Sequence, residues 1–192
     1  MKTRRTNIAL EKSAYLKFKH GDRIPDFQLI GTDDRIHYSK GFSGKAILIV
    51  FMCNHCPYVK PKVPFLVELQ EKYQAAGLQI VAINTNNNPD YPEDSFPKMK
   101  AYSKKWNLNF LYLLDEDQQI AKTFDARCTP DSYLFNSEKK LVYHGRIDDQ
   151  HGEPHSEQDT NELEDAIREV LETGGCTADE NPSQGCSIKW NK

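Results

Sequence analysis

The 192-residue chain has no charge excess of either sign: 25 Lys and Arg stand against 28 Asp and Glu, a net of −3. That balance excludes the basic footprint of a nucleic-acid binder and the acidic tail of a solvating segment. Long hydrophobic runs are also missing. The longest, Ala46 to Cys53, is far short of the roughly 18 residues of a membrane span. No apolar core region follows the charged start Met1 to Leu10, so no secretory signal is visible and the expected location is cytoplasmic. There is no internal repeat, no low-complexity block and no Gly-rich phosphate loop. Ser132 has no base paired to it by motif, which leaves a hydrolase reading without support. Mean hydropathy is only −0.71, yet aromatics make up 10% of the chain, enough for a packed core.

Cysteine is present five times, an odd number. In a cytoplasmic chain that argues against a disulfide scaffold and for reactive thiols, a metal site or core cysteines. Cys53 and Cys56 form a C-x-x-C, Cys128 precedes Thr129-Pro130, and Cys176 and Cys186 lie near the C-terminus.

The body reads as one α/β domain. Phe27–Ile30 and Arg35–Tyr38 flank Gly31-Thr32-Asp33-Asp34, a hairpin signal that places a β-hairpin extension before the main sheet. The continuous β-branched run Ala46–Met52 suits a strand buried on both faces. From Pro57, the apolar spacing of Val59, Val63, Leu66, Leu69 and Tyr73 predicts a helix ending at Gly77, with Pro61 and Pro64 as possible kinks. Leu78–Asn84 is a second strand. The polar stretch Thr85–Pro97 reads as a long loop walling a groove. A helix over Phe96–Trp106, a strand over Phe110–Leu114 and a short helix over Gln118–Phe124 follow. Strands at Ser132–Phe135 and Leu141–His144 precede a final amphipathic helix, Thr160–Leu171. The expected organisation is an arm at 1–20, the domain at 21–172, and a cysteine-containing tail at 173–192 rich in Gly, Asn, Pro and Ser.

The chemistry belongs where the apolar strand runs into the helix at Pro57. Unpaired N–H groups and the positive end of the helix dipole favour a thiolate there, and the thiolate is the nucleophile. Cys56 falls at the expected N-cap. Cys53 is near enough for a reversible disulfide, and His55 and Lys60 offer positive charge. Arg127-Cys128-Thr129-Pro130, at a strand entry, reads either as a stop or as a cis-proline loop presenting backbone to an extended substrate. Cys128 is either packing or an auxiliary thiol. Cys176 and Cys186 are open between pairing with each other, resolving Cys56, and no role. Cys53, His55 and Cys56 are zinc-type ligands, but no second C-x-x-C completes a tetrahedral set, so no metal is expected. His151-Gly152-Glu153-Pro154-His155 reads as a solvated loop, and Asp148-Asp149 as turn chemistry.

These elements resemble the thioredoxin superfamily, and more narrowly its peroxiredoxin-like, redoxin (alkyl hydroperoxide reductase/thiol-specific antioxidant) branch. The resemblance rests on Gly21-Asp22-Arg23-Ile24-Pro25-Asp26-Phe27, Gly44-Lys45-Ala46-Ile47-Leu48-Ile49-Val50-Phe51, Cys53-Asn54-His55-Cys56-Pro57-Tyr58-Val59-Lys60, Thr129-Pro130, and the ending Gly185-Cys186-Ser187-Ile188-Lys189-Trp190. It implies a thioredoxin-like fold, a central mixed β-sheet flanked by helices with Pro130 cis. Two registers compete. Aligning the C-x-x-C motifs makes Cys53 the attacking thiol; the ungapped register makes it Cys56 and puts Val59 where the family has its resolving cysteine. The second agrees with the helix-terminus argument, so Cys56 is the expected nucleophile and Cys53 the expected internal thiol that releases it. Thr129 and Pro130 would position the substrate.

The implied activity is thiol–disulfide exchange on protein or small-molecule disulfides. No bound cofactor is required, and electrons would come from a thioredoxin- or glutathione-type reductant. The alternatives are a thiol peroxidase with antioxidant activity and a non-catalytic redox-sensing or binding module. The family's peroxide-polarising Thr-x-x-Cys plus Arg set has no full counterpart, because Arg127 is offset from the Arg position.

Overall fold

The computed structural model describes residues 9–191. The strands and helices follow in the order β1 (Leu10–Lys12), β2 (Gln28–Gly31), β3 (Ile36–Tyr38), β4 (Ala46–Phe51), α1 (Val63–Tyr73), β5 (Leu78–Asn84), α2 (Phe96–Lys105), β6 (Leu111–Leu114), α3 (Gln119–Phe124), β7 (Cys128–Thr129), β8 (Asp131–Asn136), β9 (Leu141–Gly145), α4 (Glu162–Thr173) and β10 (Gln184–Ser187). Among the described residues, no helix is long and apolar enough to cross a membrane.

Seven strands form the main sheet in the order β3-β2-β6-β5-β4-β8-β9. β4 runs parallel to β5, which runs parallel to β6, while β8 and β9 continue antiparallel on the far side. The sheet is therefore mixed, as the connections required: a helix bridges each parallel pair and a tight turn joins β8 to β9. Every side chain of β4 is buried, because both faces of the sheet are covered. Leu48 and Val50 pack with Leu66 and Leu69 of α1 and Ile167 and Val170 of α4. Ile47, Ile49 and Phe51 face Phe124, Tyr133 and Phe135, together with Phe18 from the N-terminal arm. Each such side chain contributes roughly 1.5–3 kcal/mol of burial.

The β2–β3 hairpin forms where the Gly31-Thr32-Asp33-Asp34 signal placed it, and β2 joins the sheet through β6. α1 departs from expectation: the regular helix starts at Val63, not Pro57. The residues between are wound into a tight turn in which the Cys56 carbonyl accepts from the N–H groups of Val59 and Lys60, both at 3.2 Å. Pro61 has no N–H with which to continue a regular ladder, and Pro64 is tolerated because it falls in the first turn of α1, where its N–H would have no partner.

The chain ends meet. β1 from the arm and β10 from the tail pair antiparallel, and β10 pairs in turn with β7, making a second sheet of order β1-β10-β7. The tail is anchored beyond this sheet as well: Ile188 enters the core, and its N–H donates to the Arg127 carbonyl at 3.0 Å.

Candidate active site

β4 delivers Cys53 two residues beyond its end, and the turn after it places Cys56 at the head of the winding that becomes α1. β7 approaches from the other side, and the bond from Thr129 to Pro130 is cis. The Cys56 thiol donates to the Thr129 carbonyl across 3.2 Å, and Cys53 Sγ lies 3.5 Å from Thr129 Oγ1. Cys53, Cys56, Thr129 and Pro130 are thus brought to one place.

Cys186 joins them. Its sulfur lies 2.9 Å from that of Cys56, and Cys53, Cys56 and Cys186 are all 0% exposed. The other auxiliary thiols are elsewhere. Cys128 faces Ser13 Oγ at 3.7 Å and the Ser183 carbonyl at 3.7 Å. Cys176 is half-buried beyond α4 beside Glu169; burial and then that carboxylate push its thiol up to about 11.

The electrostatics separate the thiols. Burial alone raises Cys56, but hydrogen bonds from Cys186, Cys53 and Thr129 outweigh it and hold the Cys56 pKa far below an ordinary thiol's. Once ionised, the sulfur accepts from these groups instead of donating to Thr129. Cys53 is pushed the other way, by burial first, then its hydrogen bond with Cys56 and the charge of Asp94. Cys186 is raised by its hydrogen bond to Cys56 and by burial, while Lys189 opposes the rise. Cys128 is raised by burial and by Asp131. One thiolate among protonated thiols is the resulting pattern.

Two expectations about neighbouring charge are corrected. His55 Nδ1 is paired with Asp94 and lies 3.7 Å from Cys53 Sγ, so it adjoins Cys53 and not Cys56. Lys60 points to Glu93 at 4.0 Å. The thiolate is favoured by hydrogen bonds from Cys186, Cys53 and Thr129, not by a cationic neighbour. Asp94 itself comes from the Thr85–Pro97 stretch, which packs against the C-x-x-C turn, whereas the cleft beside Pro130 is lined by other segments. Asp94 was missed because nothing in a polar, proline-rich stretch marks one carboxylate as buried.

Asp148, read as turn chemistry, is buried in an ion pair, and His155, read as part of a solvated loop, is largely covered. Asp148 lies 2.6 Å from Lys62 Nζ through each carboxylate oxygen and 2.8 Å from His155 Nδ1. His155 stacks on Phe65 instead of facing solvent. His144 is buried with Nε2 2.9 Å from Asp131, whose carboxylate also accepts from Ser13 Oγ at 2.6 Å and from Tyr133. Arg127 pairs with Asp125 at 3.5 Å. A narrow cleft lined by Tyr58, Pro130, His151 and Gln184 opens beside the cis bond.

Among the described residues, two donor sets have metal-ligand chemistry: Cys53, His55 and Asp94, and Asp148, His155 and Asp159. In the first, His55 Nδ1 and Asp94 already satisfy each other. In the second, the Lys62 ammonium occupies the carboxylate a cation would need.

The Redoxin family profile matches residues 19–167, most of the chain. The chain belongs to the Redoxin family. A crystal structure of an uncharacterized conserved protein from Geobacillus kaustophilus superposes with a TM-score of 0.88 at 36% identity, covering 97% of this chain and 98% of that one. That coverage takes in most of the arm and tail. A putative thiol:disulfide interchange protein DsbE from Chlorobium tepidum has the same fold at TM-score 0.61 and 20% identity, over 81% of this chain and 99% of that one. Among curated proteins, the thiol-disulfide oxidoreductase ResA of Bacillus thuringiensis subsp. konkukian is 23% identical over 154 residues, 80% of each chain. This Redoxin-family member therefore has a thioredoxin-like fold, and residues before 19 and after 167 lie outside the family match.

Proposed function

We propose that this protein is a thiol–disulfide oxidoreductase of the thioredoxin type, with Cys56 as its nucleophile. The observation that carries the reading is the Cys56 sulfur itself: it heads a helical turn, lies on the Thr129 carbonyl beside a cis proline, and is surrounded by donors that favour the thiolate. The relatives named thiol-disulfide oxidoreductase support the same activity.

In this reading the Cys56 thiolate attacks one sulfur of a substrate disulfide and expels the other as a thiolate. A mixed disulfide results. A second thiol then attacks Cys56 Sγ, releasing the remaining half of the substrate and leaving the protein oxidised by two electrons. An external thiol reductant restores the dithiol. Thr129 and Pro130 present backbone to the substrate. Disulfides, from proteins or small molecules, fit better than peroxides, because Arg127 is engaged by Asp125.

The test is turnover of a protein disulfide such as insulin, with dithiothreitol as electron source. Wild type accelerates reduction over reductant alone, and Cys56→Ser loses the acceleration. Equal turnover by Cys56→Ser would sink the assignment.

A further inference from the structure

The edge of β7 that leads into Pro130 carries this chain's own C-terminal strand. β10 runs antiparallel along it, with Cys186 opposite Thr129 and Ser187 opposite Cys128. An extended substrate aligned by the same backbone would need that edge, and its cysteine would face Cys56 where Cys186 now lies.

The fit is built, not incidental. Gly185 lies against the turn so closely that a Cβ there would sit 2.0 Å from the Thr129 carbonyl oxygen. β1 covers the other edge of β10, pairing Leu10 with Cys186 and Lys12 with Gln184. Past the strand, the Lys189 N–H donates to Asn86 Oδ1 at 2.8 Å, and Gln118 Nε2 donates to the Lys189 carbonyl at 2.9 Å. The tail is thus held along both edges of β10 and again beyond it, with one sulfur set against the other.

We propose that Cys186 is the thiol that resolves Cys56, so that the working disulfide is Cys56–Cys186 and β10 acts as a tethered substrate strand. The proposal rests on Cys56 being the nucleophile. β10 yields the β7 edge while the Cys56–substrate disulfide forms, then returns. The Cys186 sulfur, giving its proton to the departing substrate thiolate, attacks Cys56 Sγ. The Cys56–substrate bond breaks, the Cys56–Cys186 bond forms, and the substrate leaves as a thiol. Over both steps one substrate disulfide becomes two thiols and one protein dithiol becomes a disulfide.

Charge favours Cys186 over Cys53 for this step. The first force holding the proton on Cys186 is its hydrogen bond to Cys56, and that vanishes once the Cys56 sulfur is neutral in a disulfide, while Lys189 continues to favour the Cys186 thiolate. Cys53 loses its Cys56 hydrogen bond as well, but burial, the largest force raising it, and the Asp94 charge remain. Cys186 keeps its burial too, yet loses its largest raising force and retains the opposing Lys189.

The experiment uses the full-length reduced protein treated with oxidised glutathione, acid-quenched, alkylated and mapped by peptide mass spectrometry. In wild type the expected crosslink is Cys56–Cys186. In Cys186→Ser the Cys56–glutathione adduct accumulates by about tenfold or more, because its internal exit is gone. Cys186→Ala is run beside it, and the wild-type map needs no variant to fold. A dominant Cys53–Cys56 crosslink, with Cys186→Ser clearing its adduct like wild type, overturns the proposal and leaves Cys56 as nucleophile. An unreactive Cys56 in every form overturns both.

Discussion

Asp94 Oδ1 accepts the main-chain N–H of Asn54 at 2.7 Å, so the turn carrying both C-x-x-C thiols hangs on a carboxylate from a loop 40 positions away. The same oxygen takes the His55 N–H at 3.2 Å, and the partner oxygen pairs with His55 Nδ1.

Replacing this carboxylate tests two consequences together. In Asp94→Asn the negative charge that helps keep Cys53 protonated is gone. Alkylation of Cys53 by a small reagent in the native, folded protein should then proceed at lower pH than in wild type. Asp94→Ala also leaves the buried N–H groups of Asn54 and His55 without an acceptor, and should lower unfolding free energy by about 1–3 kcal/mol. Thiol-labelling profiles and urea titration check the pair.

The Cys56 thiolate should be visible by its ultraviolet absorbance in reduced protein well below pH 8.5, the ordinary thiol value. Cys56→Ser should remove that signal. Because the Cys186 hydrogen bond is the strongest of those that lower Cys56, Cys186→Ala should move the titration upward. Linkage gives the sign for stability. A thiol whose folded pKa is depressed contributes stability fully present above its unfolded pKa of about 8.5, and that contribution is lost as pH falls through the folded value. Urea midpoints of wild type should therefore fall relative to Cys56→Ser as pH is lowered from about 9.

Gly185→Ala should lift β10 from the cis-proline turn. The added methyl would meet backbone, which cannot move aside as a flexible side chain can. Protease cleavage between residues 176 and 191 should accelerate, with about 1–3 kcal/mol lost to overpacking. Unchanged protection of the tail would contradict the close contact.

Lys62→Met should be among the most destabilising single changes outside the sheet. Lys62 and Asp148 are both buried, and removing the ammonium leaves a carboxylate whose remaining side-chain partner is the His155 ring. The expected loss is roughly 3–5 kcal/mol by denaturant titration. Adding Asp148→Asn in the same chain should recover much of it, since the uncompensated charge is then gone.

The parts legible in the sequence were those whose cause is local. β4 announced itself by an unbroken β-branched run, and the β2–β3 hairpin by Gly31-Thr32-Asp33-Asp34. Cys56 stood out because a strand, a cysteine and a proline-led turn are contiguous. The start of α1 was misread because helical spacing begins at Val59 while Pro61 and Pro64 delay the regular hydrogen bonding. Asp94, Asp148 and His155 were unreadable for a different reason. Each meets a partner that is close in space and distant in sequence, and a carboxylate in a polar loop looks the same whether paired or solvated. β10 was hidden by its brevity: four residues flanked by Gly, Asn, Pro and Ser carry no periodicity, and both neighbouring strands are as short.

A strand carried on the same chain as its docking edge is present there at an effective concentration in the millimolar range for a short flexible connection. A free peptide of equal pairing strength would compete with β10 on even terms only at about that concentration. Dilute peptides with nothing more to offer are therefore turned away from the sulfur. Entry goes to molecules abundant enough to match the tether, or to partners whose grip extends past the β7 edge onto surrounding surface. The tail thus sets a threshold of abundance or reach before any bond is exchanged.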